Sequence, residues 1–269
     1  NVKKDRIFRL VLLATTRDQE IHTSYSCAPI GPTLSRECPE IEDFLRMHGL
    51  GPTVIKYKDQ ILTDENIIAA DSSFFNFFSI PLIMGDPGDV LNTAGKAVIT
   101  ESMAKKIFGD EDPVGKAISL GEDTSTYIIS GIMSDTPRTS HFDAHILVAF
   151  MTFPDANSTV WLNNNYSTYL LLRSNTKYTT VADKIPSILE KYVSPELMQA
   201  MGLSFQDFMN QGNAYNFSLQ NLTDIHLDPL IQQEFKPAAD PKYLYIFTCI
   251  SILVVIIAAI NFMNLATAQ

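Results

Sequence analysis

The sequence YLYIFTCISILVVIIAAINF, residues 243–262, sets the terms on which the rest of the chain is read. No charged side chain occurs between Tyr243 and Gln269. A helix rises about 1.5 Å per residue, so this run spans roughly 40 Å, more than the roughly 30 Å hydrocarbon core of a bilayer. A buried helix of a globular domain is usually shorter and carries a polar face. Here every face is apolar, and Tyr243 and Tyr245 stand where an interfacial aromatic belt lies. The pattern predicts a transmembrane helix over residues 241–269. The residues before it then form a domain on one side of a membrane, and the chain reads as part of a larger membrane protein.

About 240 residues precede that helix, enough for one large domain or two small ones with cores of their own. The net charge is −10, with a pI near 4.9. That balance argues against nucleic acid, whose phosphates need clustered Lys and Arg. It also argues against a domain lying flat on anionic lipid. The start, NVKKDR, is polar, and the apolar run at residues 7–14 is too short to span, so no secretory leader is expected there. Of the three cysteines, Cys249 lies in the membrane run. Cys27 and Cys38 could bridge on an oxidising side of the membrane. An unbroken helix between them would hold them about 16 Å apart, too far for a disulfide.

The chain before the membrane run alternates in character. Residues 7–14 read as a strand, and residues 29–47 as mostly helical with a break at Pro39, because Ile41, Phe44, Leu45 and His48 share a helical face. Residues 54–57 and 61–62 read as a strand pair, and residues 66–70 as a further strand. Asp71 is placed to cap a short helix with Phe74, Phe75 and Phe78 as its buried stripe. Thr100 is placed to cap a helix over residues 101–108, with Met103, Ala104, Ile107 and Phe108 inward and Gly109 closing it. Strands follow at 115–120, 127–133 and 146–150. After Pro154 come a strand at 168–172, a helix capped by Thr180 that Pro186 kinks or re-starts, a second helical piece at 195–209, and a strand at 216–222. Residues 168–222 thus repeat the strand–helix–strand order of residues 7–57. Two such units can interlock as a split βαβ sheet, with the strand-rich middle inserted between them. The division expected is 1–60, 61–154, 155–240 and 241–269.

The search for chemistry is largely negative. No phosphate-binding G-x-x-x-x-G-K-[ST], nucleophile elbow or H-E-x-x-H zinc helix is present. No catalytic residue, cofactor or metal site is therefore expected. His141 and His145 lie four apart, but a metal needs a third ligand, and a polar pair or a hydrogen-bonded histidine is the better reading. Asp110-Glu111-Asp112 lacks the glycine and distal glutamate of a calcium loop and reads as a solvated turn, with Glu111 free in water. Asn261 and Asn264 are the strongly polar side chains of the membrane run. Three apart, they share a face, and lipid would leave their amides unpaired, so that face should meet partner helices.

Four passages together resemble a known family. They are DSSFFNFF at residues 71–78, VITESMAKKIFGDEDPVGK at 98–116, SGIMSDTPRTSHF at 130–142 and AAINFMNLATA at 258–268. In order and extent they are similar to the MacB/FtsX-like permeases of ABC transporters, in the form common in Bacteroidetes. The resemblance implies an α+β fold: a porter-like domain of two βαβ units, an inserted strand-rich Sabre-like subdomain, then a transmembrane helix. It further implies an extracytoplasmic domain between the first and second of four membrane helices, in a bacterial inner membrane, with residues 1–240 in the periplasm. A separate ATP-binding subunit, a permease dimer and a periplasmic or outer-membrane partner protein follow from the same resemblance. The function expected is transmission of ATP-driven motion across the membrane for export or envelope remodelling, without chemistry. The alternative is a membrane-anchored sensor with an extracytoplasmic ligand-binding domain; two further spans after Gln269 would favour the permease.

Overall fold

In the computed structural model, which describes residues 1–16, 19–121, 125–236 and 241–267, fourteen strands join into one sheet. The first part of the chain supplies β1 (Ile7–Thr16), β2 (Gln19–Thr23), β3 (Tyr25–Cys27), α1 (Ile30–Glu37) and β4 (Ile41–Gly49). The middle supplies β5 (Thr53–Tyr57), β6 (Gln60–Asp64), β7 (Ile67–Ala70), α2 (Phe74–Phe77), β8 (Leu82–Met84), β9 (Lys96–Thr100), α3 (Glu101–Phe108), β10 (Ala117–Leu120), β11 (Ser125–Met133) and β12 (Ile146–Ala149). The last part supplies β13 (Asn164–Leu172), α4 (Tyr178–Ala182), α5 (Ile185–Met201), α6 (Phe205–Asn210), β14 (Ala214–Asn221) and α7 (Pro241–Thr267).

The strand order is β14-β1-β13-β4-β7-β12-β9-β11-β10-β5-β6, with β2, β3 and β8 paired off this path. β13 runs antiparallel to both β1 and β4, so β1 and β4 are parallel, with α1 crossing between them. β1 likewise runs antiparallel to both β13 and β14, so those two are parallel, and α4 to α6 cross between them. The two strand–helix–strand units are thus interleaved, and the first and last strands lie side by side over Phe8↔Asn221 to Thr15↔Ala214. The middle strands extend this sheet through one short seam, where Met47, His48 and Gly49 of β4 face Ala70, Ala69 and Ile68 of β7. β5 pairs with β6 and β10, so the β5–β6 hairpin belongs wholly to the strand-rich middle.

Three apolar clusters hold the layers together. One lies between the β14-β1-β13-β4 strands and α1, α4, α5 and α6, with Leu10, Leu34, Leu170, Ile188 and Phe217 among its members. A second lies under α3, where Met103, Ile107 and Phe108 meet Ile99, Ile129 and Ile146. The third runs along the opposite face and joins both parts, from Ile7 and Tyr169 to Phe74, Val98 and Leu147. Fully burying an aliphatic or Phe side chain stabilises by about 1.5–3 kcal/mol, so this shared face binds the two parts strongly.

Several sequence expectations are corrected. Residues 41–49 form a strand, not the second half of a helix. β4 lies between β13 and β7 and is covered on both faces, so its apolar residues do not alternate, and Ile41 and Leu45 mimic helical spacing. Pro39 is the true end of the helical part, since α1 stops at Glu37. Pro195 does not begin a second helix: α5 runs through it from Ile185 to Met201, and Gly202 at φ 68° ends it. Pro186 re-starts the helix at its first turn, and Thr180 lies inside α4 rather than capping it. Asp71 does not cap α2, because its carboxylate is taken by Arg46. The buried phenylalanines there are Phe74, Phe77 and Phe78, with Phe75 half-buried. Thr100 does cap α3, accepting from the Met103 amide, and Gly109 closes it at φ 62°. Cys27 and Cys38 are free and buried, and burial pushes the Cys27 thiol up to about 12. Glu111 is not free in water: it pairs with Lys58 and Lys116, whose hydrogen bonds, Lys116's first, lower its pKa to about 2.

α7 is a helix of 27 residues. Every side chain described on it from Tyr245 to Ile260 is exposed. Among the described residues, no helix is long and apolar enough to cross a membrane.

Candidate coupling site at the strap before α7

Residues 222–236 connect the last strand of the sheet toward α7, and they do so while fastened to the sheet. The fastening begins in β1. Ile7, Val11 and Leu13 share a face with Arg9, opposite the helix layer. Arg9 is fully buried, with no exposure at all. A buried charge must be paired and hydrogen-bonded. The partner is Glu234 of the strap: Arg9 Nη1 donates to Oε2 at 2.5 Å and Nη2 to Oε1 at 2.6 Å, a two-pronged pair. Nη2 also donates to Gln220 Oε1 of β14 at 2.6 Å. Burial by itself would lower the guanidinium's pKa, but the bond to Glu234 and the neighbouring charges raise it, so Arg9 stays charged.

The network continues sideways. Tyr169, opposite Arg9 across the β1–β13 pair, shares a hydrogen bond of 2.8 Å with His141 Nε2. Burial raises the Tyr169 pKa and keeps its hydroxyl neutral. Burial, then the positive charge of Arg9, lowers His141 to about 3, so the imidazole is neutral. The loop of His141 also receives the strap: Lys236 Nζ donates to Ser140 O at 3.2 Å, and the His226 ring lies 3.2 Å from Thr139 O.

Main-chain bonds complete the fastening. The Ser24 amide donates to Gln232 O at 3.1 Å, and the Gln232 amide donates to His22 O at 2.9 Å. Ser24 Oγ donates to Gln233 O at 2.7 Å. Gln233 adopts φ 62°, a left-handed turn that costs a non-glycine residue about 1–3 kcal/mol and persists only where its surroundings hold it. Phe235 then packs against Gly49 and the shared apolar cluster; a Cβ on Gly49 would lie 3.5 Å from its ring. The strap therefore touches β1 through Glu234, β2 through Gln232, the loop before β12 through Lys236, and β4 through Phe235. It is a polar knot, and Arg46 is the centre of another. Arg46 stands at the seam, bound to both oxygens of Asp71 at 2.9 Å and donating to Ala28 O and Ala156 O, with its guanidinium 4.3 Å from the Phe150 ring centre.

The residues singled out in the sequence are distributed as follows. His141 sits in the strap network, whereas His145 pairs with Asp64 at 2.9 Å, so the two imidazoles serve different partners. Among the described residues, no group of three His, Cys, Asp or Glu side chains is placed to hold a metal. Asn261 and Asn264 lie on α7, but their side chains fall outside the described residues. Arg9 and Glu234 were not found by pattern. Arg9 had a signal, as the one charge in the apolar run IFRLVLLA. Glu234 had none, because no periodic element surrounds it.

The family described as the MacB-like periplasmic core domain matches residues 18–188. No curated protein matches the chain. Among solved structures, a domain from a protein assigned as a permease in Porphyromonas gingivalis aligns with TM-score 0.69 and 19% identity, covering 91% of this chain and 97% of that one. The periplasmic region of MacB from Actinobacillus actinomycetemcomitans aligns with TM-score 0.52 and 16% identity, covering 82% of this chain and 91% of that one. At such identities the likeness is one of fold.

Proposed function

Because the chain belongs to the MacB-like periplasmic core domain family, we propose that it is the outer domain of an ABC-type permease subunit and that its strap is a fixed joint to the membrane helix α7. In this reading residues 1–240 stand in the periplasm and α7 spans the inner membrane. A separate subunit binds ATP, and the permease works as a dimer. The interleaved strand–helix–strand units form a porter-like body, and the middle strands, from β5 onward, form the inserted Sabre-like part. Motion of α7 reaches the sheet through the strap and is delivered to a protein partner outside the membrane.

The observation that carries this reading is the Arg9–Glu234 pair. A loose connector needs no desolvated ion pair; one that must pass force needs contacts that do not slip. Here the pair is closed by main-chain bonds on one side and by Phe235 on the other.

Asn261 and Asn264 have the corresponding role inside the membrane, holding α7 in register with neighbouring helices. The test uses the full permease with its ATP-binding subunit in nanodiscs, with fluorophores at Val160, which is 47% exposed, on the two copies. ATP should change the energy transfer between them. An interhelical hydrogen bond in lipid is worth about 0.6–2 kcal/mol, so the pair Asn261→Leu and Asn264→Leu should leave the outer domain folded. The ATP-driven change should shrink or vanish. An unchanged response in the double variant would remove these amides from the coupling path.

A further inference from the structure

A cavity of about 470 Å³ opens between the start of α1, the loop before β13 and the middle of α5. That volume lies within the range of small-molecule sites. Pro29, Pro32 and Pro195 give it an apolar wall. The acceptors around it are already engaged. Ala28 O and Ala156 O accept from Arg46. Glu196 Oε1 accepts from the Trp161 amide at 2.7 Å, and its Oε2 from the Leu162 amide at 3.1 Å. Ser158 Oγ accepts from the Val160 amide at 3.2 Å.

Two donors on the same wall are not engaged in this way. Trp161 is 4% exposed, and its indole N–H meets no acceptor among the described residues. A buried indole N–H ordinarily finds a partner. The ring is held flat against Tyr192, with centroids 4.9 Å apart. Arg36 is the second donor. Its Nη2 donates to the Tyr192 hydroxyl at 3.2 Å. Its near carboxylate, Glu37, stands 3.9 Å away and is taken by Lys191 at 2.8 Å and by the Tyr192 hydroxyl. The Arg36 guanidinium therefore has no hydrogen-bonded counter-ion among the described residues.

We propose that this cavity binds a small organic anion, with its carboxylate on Arg36, an acceptor on the Trp161 N–H and an apolar body against the prolines. Donors left over where acceptors are spent select an acceptor-rich ligand, and a planar carboxylate matches the guanidinium fork. An ammonium ligand would face Arg36 and find in Glu196 a carboxylate already serving two amides. The site shares no residue with the strap and does not depend on it.

Trp161 is the one tryptophan of the chain, so fluorotryptophan gives a single fluorine NMR signal from this cavity for the chain in nanodiscs. N-acetylphenylalanine and phenylbutyrate should each shift that signal saturably. Their amides keep the ring and the size but lose the charge, and should bind at least about tenfold more weakly. Arg36→Gln, at a position whose side chain is 62% exposed, should weaken both acids about tenfold and leave the unliganded signal in place. Tighter binding of N-acetylphenylalanine supports a site for peptide C-termini, and tighter binding of phenylbutyrate a site for free acids. Equal binding of acid and amide overturns the proposal, as does unchanged binding in Arg36→Gln or the absence of a saturable shift with either acid. Should the unliganded signal of Arg36→Gln move, the comparison of acid with amide on the unsubstituted chain makes the same test.

Discussion

Glu234→Ala should loosen the strap and cost up to about 3–5 kcal/mol in urea unfolding, the range seen when one partner of a buried ion pair is removed. The Arg9 side chain has no exposure, and that of Glu234 has 7%. Without the carboxylate, the guanidinium loses its counter-ion, keeps Gln220 as an acceptor, and remains buried. The domain has one escape: the strap can lift and let water reach Arg9. The loss is then capped at the free energy that docks the strap. Amide hydrogen exchange separates the two outcomes. Lifting should raise exchange at Ser24 and Gln232, whose amides bond across the strap, while β13 amides stay protected. Replacing both charges, Arg9→Met with Glu234→Leu, should recover most of the stability, because the desolvation cost disappears with the pair. A double variant no more stable than Glu234→Ala would mean that the pair is not what holds the strap.

Arg46→Ala should destabilise the domain by a similar amount, about 3–5 kcal/mol, without such an escape. Arg46 and Asp71 have side-chain exposures of 6% and 12% and sit at the seam between the two parts of the sheet. Truncation strands the Asp71 carboxylate, unpairs the carbonyls of Ala28 and Ala156, and empties the space over Phe150. Arg46→Lys keeps the charge but not the fork, so it should recover less than half of the loss. Thermal unfolding of both variants checks this. A shift in Tm for Arg46→Ala no larger than that of an exposed Lys→Ala control would contradict it.

These two knots show where sequence reasoning reached and where it stopped. Local signals were legible. The Thr100 cap, the positive-φ Gly109 and the apolar face of α3 all stand as the pattern required. The strand–helix–strand order of the two units was legible, but the strand closing the first unit was read at residues 54–57, whereas it is β4. The β4 strand was not, because a strand covered on both faces loses its period-two signature. Asp71 shows the same limit at one residue. Its position suits a cap, but a buried guanidinium more than twenty residues away in the chain outbids the helix amides. The strap lies furthest out of reach. Its contacts join Glu234 to Arg9 and Lys236 to Ser140, separations that no local window spans.

The central claim is that the strap stays fixed to the sheet while α7 drives it. A disulfide between Thr23→Cys and Gln232→Cys tests this most directly, because these two residues are bridge partners across the strap. The readout is energy transfer between the Val160 fluorophores, attached through a non-cysteine handle, in the assembled permease during ATP turnover. The account predicts that the locked protein responds to ATP as the unlocked protein does, since the joint never opens. Loss of the response on locking, with recovery on reduction, would contradict it and make the strap a part that must release.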